Sequence, residues 1–195
     1  PPTWEQTQAF VDDPREDAYE RLIDRLLASP RYGERWGRHW LDVAGYADSD
    51  GDGPTDTPRP YAYKYRDYVI HALNADKPLD RFLIEQLAGD ELVDRHGDVS
   101  PEEAEILAAT GFLRMVVDGT SSGGGDLPLA SNQMVADAVK VVGSALYGLT
   151  IACAQCHDHR YDPISQEDYF RLRAVFEPAL NPSHWRRPNQ RLVSL

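Results

Sequence analysis

The chain has 195 residues, 42% hydrophobic and 27% charged, enough for one domain with a sizeable core. Its 32 acidic residues against 20 basic leave a net charge of −12, which repels phosphate backbones and anionic lipid and argues against nucleic acid or a membrane surface as partner. No run approaches the roughly twenty apolar residues that cross a bilayer; the longest, "MVADAVKVVGSALYGLTIACA", is broken by Asp137 and Lys140 and reads as a buried helix.

In chain order, "DAYERLIDRLLAS" spaces Tyr19, Leu22, Ile23, Leu26 and Leu27 as one apolar helix face, closed by Pro30. "RYGERWGRHWLDVAGYAD" repeats the pattern with Trp36, Trp40, Val43, Ala44 and Ala47, although Gly33, Gly37 and Gly45 each weaken a helix. "DSDGDGPTDTPRP" is an acidic Gly/Pro loop. Two helices follow, "YAYKYRDYVIHALNAD", stopped before Pro78, and the shorter "LDRFLIEQLAGD". Ser100, Pro101 and Glu103 make a capping-box start for a helix that ends near Gly111. "GFLRMVV" is expected to be a short strand or an extended packing segment, and "DGTSSGGGDLP" a low-complexity connection.

A long helix is expected from about Asn132 to Leu149, leading into the cysteines, and Ser165 caps a last one, "QEDYFRLRAVF", with Phe170, Leu172, Val175 and Phe176 apolar. No internal repeat and no β-alternation is found. The expected fold class is mostly α: an irregular helical domain with long loops. The opening "PPTWEQ" lacks a methionine and the ending "RPNQRLVSL" lacks a cap. Residues 1–195 are therefore expected to be a single domain excised from a larger protein.

The chemistry concentrates in "CAQCHDH", residues 153–159, which holds both cysteines. C-x-x-C-H is the attachment pattern of haem c. The thiols of Cys153 and Cys156 add to the two vinyl groups of one porphyrin, and His157 is directed at the iron as proximal ligand. Three alternatives stay open. A redox disulfide normally follows a strand in a βαβ context, which is absent here. Zinc held by Cys153, Cys156, His157 and His159 needs a tetrahedron from residues cramped into one segment. The thiols could also have no role.

The chain resembles the planctomycete-type cytochrome domain, long catalogued as a domain of unknown function and found in large exported proteins with further domains downstream. The resemblance rests on "AYERLIDRLLASPRYGERWGRHWLDV", "YADSDG", "RDYVIHALNAD", "DRFLIEQLAGDEL", "ATGFLR" and "YGLTIACAQCHDHRYDPISQEDYFRL". It implies covalent haem c at Cys153 and Cys156 with His157 proximal, and no established reaction. The chain departs from the family pattern at Gly45, where an arginine is expected.

For the distal iron position the candidates are His39, bordered by Trp36, Trp40 and Val43, then Met115, then no ligand at all; Met134 reads as core. Arg38, Arg66 and Arg160 are candidates to meet the haem propionates, and His159 to contact a propionate or fix its loop. His71, His96 and His184 read as surface or loop residues. Asp162 before Pro163 signals a turn. Asp48, Asp50 and Asp52 alternate as in a calcium loop, but Arg59 stands where the closing glutamate would be.

The function expected is a monohaem c-type cytochrome domain carrying electrons outside the cytoplasm, where haem c is attached and no third cysteine is left to mispair. Its partners would be a redox protein, favoured if basic, or neighbouring domains of the parent protein. The alternatives are a haem enzyme or sensor with an open distal site, peroxidase-like or gas-binding, and a non-haem module held by zinc or a disulfide.

Overall fold

A computed structural model of the protein describes residues 1–51, 56–94, 98–121 and 126–181. Among these residues it is mostly helical and has no strand; the one β-like feature is an isolated bridge between Ser49 and Pro58. The helices are α1 (Trp4–Val11), α2 (Ala18–Leu27), α3 (Arg31–Ala44), α4 (Ala62–Asn74), α5 (Leu79–Ala88), α6 (Pro101–Ala109), α7 (Leu127–Tyr147) and α8 (Gln166–Leu180). The capping box at Ser100 forms as the sequence predicts, with Ser100 accepting from the Glu103 amide and Glu103 accepting from the Ser100 amide.

The main core lies between α3, α4, α5, α6 and α7, with Tyr65, Tyr68, Val69, Phe112, Met134 and Val135 buried in it. The glycines of α3 serve this packing rather than merely weakening the helix. A β-carbon at Gly33 would collide with the Ile70 carbonyl and the Asn74 side chain, so α3 and α4 approach closely there. Asn74 fastens the crossing, accepting from the Gly33 amide at 2.8 Å and donating to the Pro30 carbonyl at 3.0 Å. Gly45 ends α3 in the left-handed region with φ 71°. There the Tyr46 amide donates to the Leu41 carbonyl and the Gly45 amide to that of Asp42, a Schellman closure. The arginine that the resemblance leads one to expect at this position would meet the β-carbon penalty of that conformation, about 1–2 kcal/mol.

Two sets of polar groups in the main core are satisfied by hydrogen bonds. Trp40 Nε1 donates to Gln86 Oε1 at 2.8 Å and to the Tyr65 hydroxyl at 3.0 Å, while Tyr65 donates to the same Gln86 oxygen at 2.7 Å. Burial pushes the Tyr65 phenol well above its ordinary range. Glu85 is buried on α5 and accepts from Tyr68, Lys77 and Arg81. Desolvation pushes its carboxyl up, but these three donors outweigh it and hold the group below the usual glutamate range.

The segment "GFLRMVV" is not extended. A 3-10 turn, Thr110–Arg114, continues directly from α6 and buries Phe112 and Leu113. The reason lies in the acidic loop. Arg59 pairs with Asp50 at 2.8 Å, and donates to the carbonyls of Met115 at 3.0 Å and Val116 at 2.6 Å. The Arg59 and Asp50 side chains are 4% and 5% exposed. The ion pair thus clamps residues 115–116 by their backbone acceptors, which a strand ladder would otherwise need.

Two apolar faces expected from the sequence are placed differently. Neither α1 nor α2 buries any residue; Trp4, Tyr19, Leu26 and Leu27 are exposed, so the α2 stripe is amphipathic but uncovered. In α8 the inward face is Tyr169, Leu172, Phe176 and Leu180, whereas Phe170 and Val175 are exposed. Pro30 opens α3 rather than simply closing α2. Removing one partner of the buried ion pair is expected to be costly: Arg59→Met should lower the unfolding free energy by about 3–5 kcal/mol. Urea unfolding followed by tryptophan fluorescence checks this, and a loss below about 1 kcal/mol, the level of a surface pair, would contradict it.

Candidate functional site

The long helix α7 delivers the chain to the cysteine motif. It ends at Gly148 in the left-handed region, with φ 64°. The next residue turns back, so that the Leu149 amide donates to the Gly143 carbonyl at 3.1 Å. A 3-10 turn, Ile151–Gln155, then lies against α7 and α8. Ile151 packs directly over Gly143, where any β-carbon would collide with its side chain. Glycine at 143 is what lets the turn sit this close.

A 3-10 turn has about three residues per turn, so positions three apart line up on one side. Ile151 and Ala154 form the buried side, packed with Val139 and Tyr169. Cys153, and Cys156 at the end of the turn, line up on a separate side as free, exposed thiols. The C-x-x-C spacing thus becomes one outward-facing pair of sulfurs on a turn anchored from beneath.

His157 follows, exposed, with Nδ1 at 2.7 Å from the Asp158 carbonyl oxygen. A carbonyl only accepts, so Nδ1 carries the proton and Nε2 keeps its lone pair for a metal. Metal-binding histidines commonly have the second nitrogen tied in this way. The Asp158 carboxylate in turn accepts from the Gln166 amide at 2.8 Å, and Gln166 Nε2 donates to the Gln155 carbonyl at 3.0 Å. The start of α8 therefore grips the motif at Gln155, between the cysteines, and at Asp158, just after His157.

His159 plays a different part. Its side chain is 5% exposed. Its Nδ1 accepts from the amides of Asp162 at 2.9 Å and Tyr161 at 3.3 Å, and its Nε2 is 2.9 Å from the Thr150 hydroxyl. With Nδ1 accepting, Nε2 is the protonated nitrogen and donates to Thr150. The His159 amide also donates to the Ile164 carbonyl at 2.8 Å. Both ring nitrogens are used inside the loop, which His159 braces across the Asp162–Pro163 turn.

Beneath the motif is Tyr169, fully buried. Its hydroxyl oxygen has no hydrogen-bond partner. Burial pushes the phenol up, Arg173 pulls it down, and the charges of Asp137 and Cys156 push it up again. The sequence reading passed over Tyr169, although its spacing with Leu172 and Phe176 marks the inward face of α8.

The other predicted residues lie elsewhere. His39 is exposed and borders an apolar groove of about 470 Å³ with Tyr32, Trp36, Trp40 and Phe82, and no residue of the motif lines it. Met115 is 6% exposed and belongs to the main core. Arg38 is 3.9 Å from Asp42, Arg66 pairs with Asp67, and Arg160 lies over the Tyr161 ring. Met134 is buried in the core, and His71 pairs with Glu105 on the surface. Asp48 accepts from the Tyr46 hydroxyl at 2.6 Å, while Asp50 accepts from Arg59 Nε in the buried ion pair. Asp52, His96 and His184 lie outside the described residues. Among the described residues, no three His, Cys, Asp or Glu side chains converge as a metal ion held by the protein alone would need.

Residues 1–180 match the family described as PSCyt2, protein of unknown function (DUF1549), and the chain belongs to that family. No match is found among curated proteins or solved structures. The brace within the motif loop can be tested by His159→Phe, which removes an acceptor for two amides and the partner of Thr150. It is expected to cost about 1–3 kcal/mol and to speed hydrogen exchange of the Asp162 amide. Unchanged exchange at Asp162 would contradict the role given to His159.

Proposed function

We propose that this chain is a haem c-binding domain that passes single electrons, acting outside the cytoplasm. The observation that carries the reading is the motif turn: two free thiols on one exposed side of a 3-10 turn, followed by a histidine whose Nδ1 proton is committed to a carbonyl. The donor set fits the group. Haem c needs two accessible thiols and one nitrogen, because the porphyrin supplies the remaining equatorial ligands. Zinc needs four protein donors at a closed site, and His159 has both nitrogens engaged within its own loop. When bound, the haem supplies a one-electron iron couple.

Within that reading the residues have separate tasks. Cys153 and Cys156 supply the sulfurs for two thioether links. His157 presents Nε2, and Asp158 holds the ring by its carbonyl while its carboxylate fixes the start of α8. Arg160, on the same loop, is the cation nearest in sequence for a propionate; Arg38 and Arg66 sit on α3 and α4. For partners, the net charge of −12 favours a basic redox protein, and the uncovered apolar residues of α1 and α2 suit a neighbouring domain of a larger protein. A calcium ion at the acidic loop would have to compete with Arg59 for Asp50.

A second reading, an open distal position that binds small molecules, is favoured by one observation. Met115 is enclosed in the main core, and His39 borders a groove that no motif residue lines. The test is expression of the whole chain in a host that matures c-type cytochromes. The protein is expected to keep haem through denaturing extraction and to give a c-type pyridine haemochrome spectrum, with Cys153→Ala/Cys156→Ala retaining none. Rapid binding of CO by the reduced protein supports the open position, and resistance to CO supports a six-coordinate carrier. Wild-type protein that releases its haem on extraction, or never acquires it, contradicts the proposal.

A further inference from the structure

Beside the motif, the buried Tyr169 hydroxyl has no hydrogen-bond partner among the described residues. Tyr169 is 0% exposed and packs with Val139 of α7 and with Ile151 and Ala154 on the inner side of the motif turn. A buried hydroxyl without a partner forfeits its hydration for nothing in return, and such groups are rare in folded proteins. Arg173 acts on the phenol oxygen by its charge and as a hydrogen-bond donor, and Asp137 acts by its charge, yet neither gives the phenol proton an acceptor. Arg173 is a donor only, and its Nη2 is spent on Asn132 at 2.6 Å, so it offers the phenol proton no acceptor. Asp137 could accept, but forms no hydrogen bond with Tyr169 and takes one from Gln133 at 3.2 Å instead. The third group acting on the phenol is Cys156.

We propose that Tyr169 is a positioning residue for the group attached at Cys156, its hydroxyl donating a hydrogen bond to an acceptor that this group brings beside the motif turn. This rests on the haem c reading above. The acceptor classes haem c offers are a propionate carboxylate and the thioether sulfur. The thioether, unlike the free thiol, has no proton of its own and can only accept. The donor is therefore idle in the bare polypeptide and used once the cofactor is in place.

That difference gives the test a sign. Tyr169→Phe removes only the hydroxyl and keeps the ring that packs on Ala154 and Ile151. Thermal unfolding is measured for wild type and variant, each as the unmatured chain without haem and as the matured protein. Without haem, the variant is expected to melt at the same temperature as wild type or higher, because an unpaired buried group has been removed. With haem, it is expected to melt lower by about 2–4 °C or more, and its reduction potential is expected to move. A variant that folds without haem but retains less of it after maturation also supports the assignment. Equal shifts in the two forms overturn it, since the hydroxyl would then serve the polypeptide or a bound water. Absence of covalent haem from matured wild type overturns both the functional reading and this inference, whereas equal shifts overturn the Tyr169 assignment alone.

Discussion

The contact of Ile151 with the bare backbone of Gly143 fixes how the cysteine motif stands on the protein. Because position 143 has no β-carbon, the 3-10 turn settles against α7, with Ile151 and Ala154 pressed inward. The three-residue period of that turn then aligns Cys153 with Cys156 on one exposed side. Gly148 supplies the reversal that brings the chain back over α7, and α8 closes the arrangement through Gln166 and Tyr169. The exposure of both sulfurs is thus a consequence of packing beneath them. A chain with the same motif on a free loop would have the residues without the presentation.

The two histidines of the motif illustrate how hydrogen bonding divides similar side chains into different roles. His157 is exposed and has one nitrogen committed; His159 is enclosed and has both committed. Sequence separation is only two residues, yet one is free to bind and the other holds the loop. Elsewhere the protein treats charge in a comparable way. Asp50 and Arg59 are buried together and spend the remaining guanidinium donors on backbone carbonyls, while the large acidic excess stays at the surface.

What could be read from the sequence was whatever depends on neighbours a few residues away. The caps at Ser100 and Ser165 and the helical period of α2 and α4 are local, and each is found where the pattern puts it. What depended on distant partners was not legible. Residues 111–117 read as a strand or extended segment, because the donor that meets the carbonyls of 115 and 116 is Arg59, more than fifty positions away. Gly33 looked like a helix defect because the Ile70 carbonyl that needs the space belongs to another helix. Tyr169 was overlooked because a tyrosine beside Phe170 reads as one more aromatic. What sets it apart is a buried hydroxyl whose proton meets no acceptor among the described residues, which no spacing rule reveals.

The account turns on whether Cys153 and Cys156 are carried as a covalent cofactor anchor. The most direct measurement is the intact mass of the matured chain after denaturation and treatment with a thiol-alkylating reagent. The account predicts a mass higher than the polypeptide by one haem, with no alkyl group added. A chain with two alkyl groups and no haem would contradict it.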